Sequence, residues 1–269
     1  MLRDERSSLR GLILCLLSCF VFLHVPGSLA AQEVRVGGYH FPPYLNRPED
    51  PQPQGLVPEL LQALNLMQEH YRFVLVPTSA TRRYRDMQGE RFDLMFFESS
   101  HWGWQNTPHL ALPLDIEDAE VYVAAAEPGR GQEYFQDFSD KRMALYGGYH
   151  YGFAGFNADQ SYLARTFNAL ITYSHDSNLR MLQARRVDVV VITRSYLEMY
   201  LQRHPEAAAD MLVSEHFDQL YQHQVLLRPD GPLTPAQMSK LLDKLQADGQ
   251  LQRLLSRYRL ALGGKVAPD

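Results

Sequence analysis

Glu98 closes the apolar run Leu94-Met95-Phe96-Phe97 and is followed at once by Ser99 and Ser100, then by Trp102 and Trp104. A carboxylate among aromatic faces attracts a cation through its charge and through the ring quadrupoles, each cation–π contact contributing about 0.5–2 kcal/mol. The two hydroxyls can donate or accept hydrogen bonds to a bound molecule. The stretch reads as a wall for an amine; the alternative is that both tryptophans are core and Glu98 pairs with a neighbouring arginine. Tyr39, Phe41 and Tyr44 form a second aromatic group that could floor a cleft, with at least one of them expected in plain core. In Gly147-Gly148-Tyr149-His150-Tyr151 the glycines bring backbone N–H groups near a following helix, as an anion nest does, without the lysine or the spacing of a phosphate loop. Tyr149 and His150 are its candidate contacts. Thr193 is either a ligand contact or the N-cap of the helix after it.

Other chemistries lack their residues. There is no HExxH, GxSxG or phosphate-loop motif. The histidines, His40, His101, His109 and His150 among them, show no tight ligand spacing such as i and i+4 on a helix. Neither an enzyme, a metal site nor a cofactor is expected. The formal charge is −5, which makes nucleic acid a poor partner.

The first thirty residues read as a secretory signal: Arg3, Arg6 and Arg10 precede an apolar run over 12–25, and Ser28-Leu29-Ala30 offers small residues for cleavage. Leu16-Leu17-Ser18-Cys19 has the outline of a lipoprotein box, but apolar residues follow where a polar tether belongs. The apolar run falls short of the roughly 20 residues that cross a bilayer. Cleavage before Ala31 gives a soluble chain without cysteine, because Cys15 and Cys19 both lie upstream. Localisation in the periplasm follows.

The elements that must carry these residues alternate between strand and helix, which predicts an α/β fold. Strands are predicted at 34–39, 73–76 and 92–97, with helices at 55–67, where Val57, Leu60, Leu61, Leu64 and Met67 recur at helical spacing, and at 81–88. After a strand at 120–126 the pattern restarts with a strand at 143–146, helices at 162–170 and 176–184, a strand at 187–192 and a helix at 194–203. A strand at 224–227 and helices at 235–248 and 250–259 close the chain.

Several landmarks, in order, resemble the family 3 extracellular solute-binding proteins, the receptors of amino-acid ABC importers. They are Val34-Arg35-Val36-Gly37 with Phe41-Pro42-Pro43-Tyr44, Gly55-Leu56-Val57-Pro58-Glu59-Leu60-Leu61, Asp93, Gln183-Ala184-Arg185-Arg186-Val187-Asp188, and Leu245-Gln246-Ala247-Asp248-Gly249. The resemblance implies a periplasmic-binding-protein-like fold of two α/β lobes joined by two crossing strands, with the ligand in the interlobe cleft. Lobe 1 would be 31–120 plus a return segment 219–262, lobe 2 would be 121–218, and 263–269 a tail. It also implies a small-molecule ligand, an inner-membrane ABC permease as partner and a monomer; the alternative is a ligand-sensing or partner-binding protein acting on a membrane receptor in trans. Relatives place an arginine after the third strand for an α-carboxylate and an acid after the second-lobe strand for an α-amino group. Here those positions fall on Gln105 and Thr193. A neutral amide loses the bidentate bond of a guanidinium, so the usual amino-acid pose is disfavoured. Arg82 stands where some relatives carry a cleft-facing arginine, its alternative being an ordinary solvated side chain in Arg82-Arg83-Tyr84-Arg85.

Overall fold

The computed structural model describes residues 30–263. The segment read as a secretory signal and the last residues of the tail lie outside the described residues. From Gln32 onward the chain is a single compact unit built on one eight-stranded sheet.

In the first half, β1 (Gln32–Gly38) lies between β2 (Tyr71–Pro77) and β3 (Leu94–Glu98), parallel to both. Helix α1 (Leu56–Leu66) turns Leu56, Val57, Leu60, Leu61 and Leu64 inward, the stripe its sequence spacing dictates. Gly55 begins it at φ 122, and a Cβ there would meet the Tyr44 carbonyl oxygen at 2.5 Å, so only glycine fits. The short helix α2 (Arg83–Gln88) precedes β3, whose five residues are all buried, as a central strand requires.

Two long strands then tie the molecule together. β4 (Leu110–Ala125) and β8 (Met211–Leu227) pair antiparallel from Leu110↔Leu227 to Ala125↔Met211, with register shifts near their middles. Between them in sequence lie β5 (Met143–Tyr146), α3 (Gln160–Thr166), β6 (Ala169–Thr172), α4 (His175–Gln183), β7 (Val189–Thr193) and α5 (Arg194–Arg203). The strand order is β2-β1-β3-β8-β4-β7-β5-β6. Helices α6 (Pro235–Ala247) and α7 (Gln250–Arg257) return to the first half, where α1 packs against both. Alternation along the central strands feeds two cores. Val121, Val123, Val190 and Ile192 join Leu179, Leu182 and Leu197 of α4 and α5, while Tyr122, Ala124, Val189 and Val191 face the larger cluster on the other side. Each fully buried Val or Leu stabilises the fold by about 1.5–3 kcal/mol.

Three expectations need correction. The strand predicted at 120–126 begins ten residues earlier, at Leu110, and the one at 224–227 begins at Met211. Their outer portions alternate poorly because Leu110, Phe217 and Leu220 are 40%, 43% and 52% exposed. The helix predicted over 162–170 stops at Thr166, and Ala169–Thr172 is an edge strand. The break is Asn168, at φ 47, a left-handed helix-end conformation that asparagine tolerates.

Candidate functional site

Open α/β sheets bind ligands beyond the carboxyl ends of their strands. Here a cavity of about 610 Å³ opens at those ends. The first half contributes Tyr39, His40, Pro42, Asn46, Arg47, Pro48, Glu49 and Thr78 to Thr81; the second contributes Tyr146, Gly147, Gln160, Tyr173 to Asp176 and Tyr196. The loop after β6 continues directly into α4, where Ser174 caps the helix by accepting from the Ser177 N–H. Tyr196 donates to Asp176 Oδ1 at 2.6 Å. His175 is buried between the rings of Tyr146 and Tyr196, at 5.0 and 4.8 Å, and its Nε2 lies 3.5 Å from the Tyr149 hydroxyl. Burial, with His40 nearby, lowers its pKa to about 3, so it is uncharged at neutral pH.

Deeper in, where β4 and β8 cross between the halves, the space narrows to a void of about 10 Å³ lined by Tyr39, Phe41, Arg83, Trp102, Glu120, Gly148, Tyr149, His150 and Gln219. That is room for roughly one water. Phe41 meets Trp102 and Tyr149 edge-on, at 5.8 and 5.4 Å between centroids. Tyr149 stacks on Tyr146 at 4.5 Å. Burial lowers the pKa of His150 to about 3, with the Arg83 charge adding to the effect.

Around and behind the void buried charges lie close together, although Arg83 Nε and Glu98 Oε1 face each other without a hydrogen bond. Glu98 is 3.3 Å from Arg83 Nε and accepts from Trp104 Nε1 at 2.9 Å. Burial raises its pKa, opposed first by the Arg83 charge. Arg83 lies over the rings of Tyr84 and Tyr39 at 4.5 and 4.8 Å. Asp118 accepts from the Tyr44 and Ser195 hydroxyls, each at 2.6 Å, with Arg194 3.6 Å away. His223 Nε2 lies 2.6 Å from the same Tyr44 hydroxyl. Glu120 Oε1 accepts from Thr193 at 2.9 Å and Tyr221 at 3.2 Å, while its Oε2 is buried without a partner. Burial pushes Glu120 well above the usual carboxylate range.

The structure gathers Tyr39, Phe41, Trp102, Tyr149 and His150 around the void and places other candidates elsewhere. Tyr44 is 1% exposed and committed to Asp118. Glu98 and Trp104 form the buried pair just described, so Glu98 meets Arg83 instead of opening an amine wall, the alternative its sequence context had left. Ser99 accepts from the His101 N–H, and Ser100 donates to Gln224 at 2.7 Å. Thr193 holds Glu120 and makes no side-chain cap for α5. Gln105 is exposed on a one-turn 3₁₀ segment and lines neither cavity. Arg82 is exposed and bonds Ser79 Oγ at 3.3 Å; the arginine that turns inward is its neighbour Arg83. On the outer walls Thr78 to Thr81, Tyr146 and Tyr196 were not legible as site residues, nor, with β6 unread, were Tyr173 to Asp176. Ser174 before a polar first turn was the readable signal. Among the described residues no three His, Cys, Asp or Glu side chains gather as a metal site requires, and no helix is long and apolar enough to cross a membrane.

This geometry has counterparts among solved structures. The chain superposes on an ABC uptake transporter substrate-binding protein from Streptococcus pneumoniae with bound histidine, with TM-score 0.66, 18% identity, and coverage of 88% of this chain and 95% of that one. The fold is the periplasmic binding-protein fold. An ancestral arginine-binding protein bound to arginine matches with TM-score 0.61, 16% identity and coverage of 85% and 99%. The GluR0 ligand-binding core with L-glutamate matches with TM-score 0.62, 16% identity and coverage of 86% and 99%. No family profile matches the sequence, and no curated protein matches it.

Proposed function

We propose that the protein is a periplasmic solute-binding protein that closes on a small polar molecule, amino-acid-like or amine-containing, and delivers it to an ABC importer. The observation that carries this reading is the cavity of about 610 Å³ walled by loops from both halves of the sheet at the carboxyl ends of β1, β2, β5 and β6. Its size suits a small ligand, and polar side chains supply much of its wall. Binding, not catalysis, is its task. On this reading 31–120 with 219–262 and 121–218 act as two lobes that hinge about β4 and β8, in a monomer exported with loss of the first thirty residues. Likeness to substrate-binding proteins of ABC transporters supports the permease as partner. A second reading, ligand sensing for a membrane receptor in trans, draws support from likeness to a protein described as a ligand-binding core.

A ligand that binds only the folded chain stabilises it by about 2.7 kcal/mol at a hundred times its dissociation constant. Thermal unfolding of the mature chain with amino acids, polyamines, aromatic amines, amides and small carboxylates should show a concentration-dependent rise with at least one class. A flat response throughout removes the solute-binding reading. Copurification of the mature chain with an ABC permease, and not with a receptor ectodomain, separates import from sensing.

A further inference from the structure

The cleft offers two places for a ligand, and their chemistry differs. At the crossing strands the room is taken by the protein's own side chains. Phe41, Trp102 and Tyr149 pack together around a void of about 10 Å³. The nearest guanidinium, Arg83, is held against Glu98, both side chains being 1% exposed. Lending Arg83 to a ligand carboxylate would leave a buried Glu98 without its counter-charge and with the Trp104 N–H as a remaining partner, which is unfavourable.

The inner void keeps an unpartnered atom of its own, Glu120 Oε2, but at about 10 Å³ it has no room for a ligand, whereas the outer cavity has both room and unused bonding capacity in its walls. Tyr146 and His175 line it, are 2% and 1% exposed, and each keeps a buried polar atom without a partner, Oη and Nδ1 respectively. An unmade bond at a buried polar atom is unfavourable, so a ligand that reaches these atoms as the cleft breathes gains by completing them. Both groups are neutral at physiological pH, since the phenol is pushed up and the imidazole down by burial. The charged wall residues are one cation, Arg47, and two carboxylates, Glu49 and Asp176. Tyr146 lies 5.0 Å from the His175 ring and 6.3 Å from the Tyr173 ring, so three aromatic rings cluster at this wall, with Tyr173 the exposed one at 61%.

Building on the solute-binding reading, we propose that the ligand sits in this outer cavity, not at the crossing strands, and that it is a ring-bearing amine or amide. Its ring lies among the tyrosines, a neutral hydrogen-bonding group meets Tyr146 and His175, and, where the ligand is an amine, its positive charge points toward Glu49 and Asp176. A zwitterionic α-amino acid or a dicarboxylate meets Arg47 as the one wall cation, against two wall carboxylates.

The test is calorimetric titration of the mature chain with tyramine, histamine and nicotinamide against L-alanine, L-arginine and L-glutamate. At least one of the first three should bind, and Tyr146→Phe should weaken it tenfold or more. Thr81→Trp fills the cavity from an exposed wall position, where folding tolerates the change, and should abolish binding. Gln105→Ala, exposed and outside both cavities, should leave affinity within twofold. Circular dichroism of each unliganded variant verifies its fold. Ring probes that bind equally well to the Thr81→Trp and Tyr146→Phe variants overturn the location. An α-amino acid that binds while the ring probes do not overturns the ligand class and leaves the solute-binding reading standing. Failure of both probe sets, together with a flat response across the wider thermal panel, overturns the inference and that reading together.

Discussion

Arg83 stands one residue from Arg82, the arginine singled out in the sequence, and that single step changes the meaning of Glu98. In the run Arg82-Arg83-Tyr84-Arg85 composition cannot say which arginine turns inward; the short helix α2 decides it, burying Arg83, Asp86 and Met87 on one face. The inward arginine finds Glu98 and Trp102, and the carboxylate that seemed poised for a ligand becomes half of an internal pair. Glu98→Gln should therefore destabilise the fold by about 3–5 kcal/mol, because a buried guanidinium loses its counter-charge. Arg83→Met combined with Glu98→Gln should recover most of that loss in urea unfolding. A single variant as stable as the wild type would show the pair to be dispensable. Glu120 makes a different prediction. Its folded pKa lies well above the unfolded value of 4.5, so its contribution is fully present below about pH 4.5 and is lost as pH rises through the folded value. Glu120→Gln keeps a neutral acceptor for Thr193 and Tyr221 and removes that loss. The melting temperature of Glu120→Gln relative to wild type should climb between pH 4.5 and 8, and a pH-independent difference would contradict it.

At the scale of elements, strands and helices with an unbroken apolar signature were legible: β5 at Met143–Tyr146 and α5 at Arg194–Arg203 fall where the sequence puts them. What was hidden is explained by exposure. β6 has a single fully buried residue, Ala169, so it carries no strand-length apolar run, and with it vanished the Ser174–Asp176 wall of the cavity. Most of the aromatic residues around the inner void were readable because they sit beside glycines and prolines at strand ends. Their mutual packing, which leaves no room there, was not. Junctions between elements also carry measurable stability. Asp93, at the entry to β3, accepts from Arg35 Nη2 at 2.7 Å and Arg228 Nη2 at 3.0 Å. Those bonds hold its pKa low against the opposing effect of burial. Asp93→Ala should cost about 2–3 kcal/mol, below the value for a fully buried pair because Arg35 is 36% exposed. This stability is present above the unfolded carboxylate pKa and is lost as pH falls through the lower folded value, so the gap between wild type and Asp93→Ala should narrow in acid. At the start of α6, Thr234 and Gln237 form a reciprocal capping box with Pro235 in the first turn. Thr234→Ala should cost about 1 kcal/mol in chemical denaturation.

At the scale of the whole molecule, the sequence announced two α/β series and a returning segment, and the sheet order β2-β1-β3-β8-β4-β7-β5-β6 joins them through the middle. The alternation of element types was enough for the fold class, whereas the length of β4 and β8 was not, because their solvent-facing stretches blur the apolar pattern. Those two strands bear on how the protein is made and unmade. β8 pairs at Leu227 with the start of β4, beside β3, and at Met211 with the end of β4, near β7. Neither half is complete until residues 211–227 are in place, so a chain emerging from the ribosome holds no finished half until those residues have been made. A fragment ending at Arg203 should be protease-sensitive throughout, instead of retaining a resistant core. The intact chain should lose both halves in one transition, with amides of β1 and of β7 exchanging at a common free energy. Two separated melting steps, or a protected fragment, would show that one half can stand without the strand it shares.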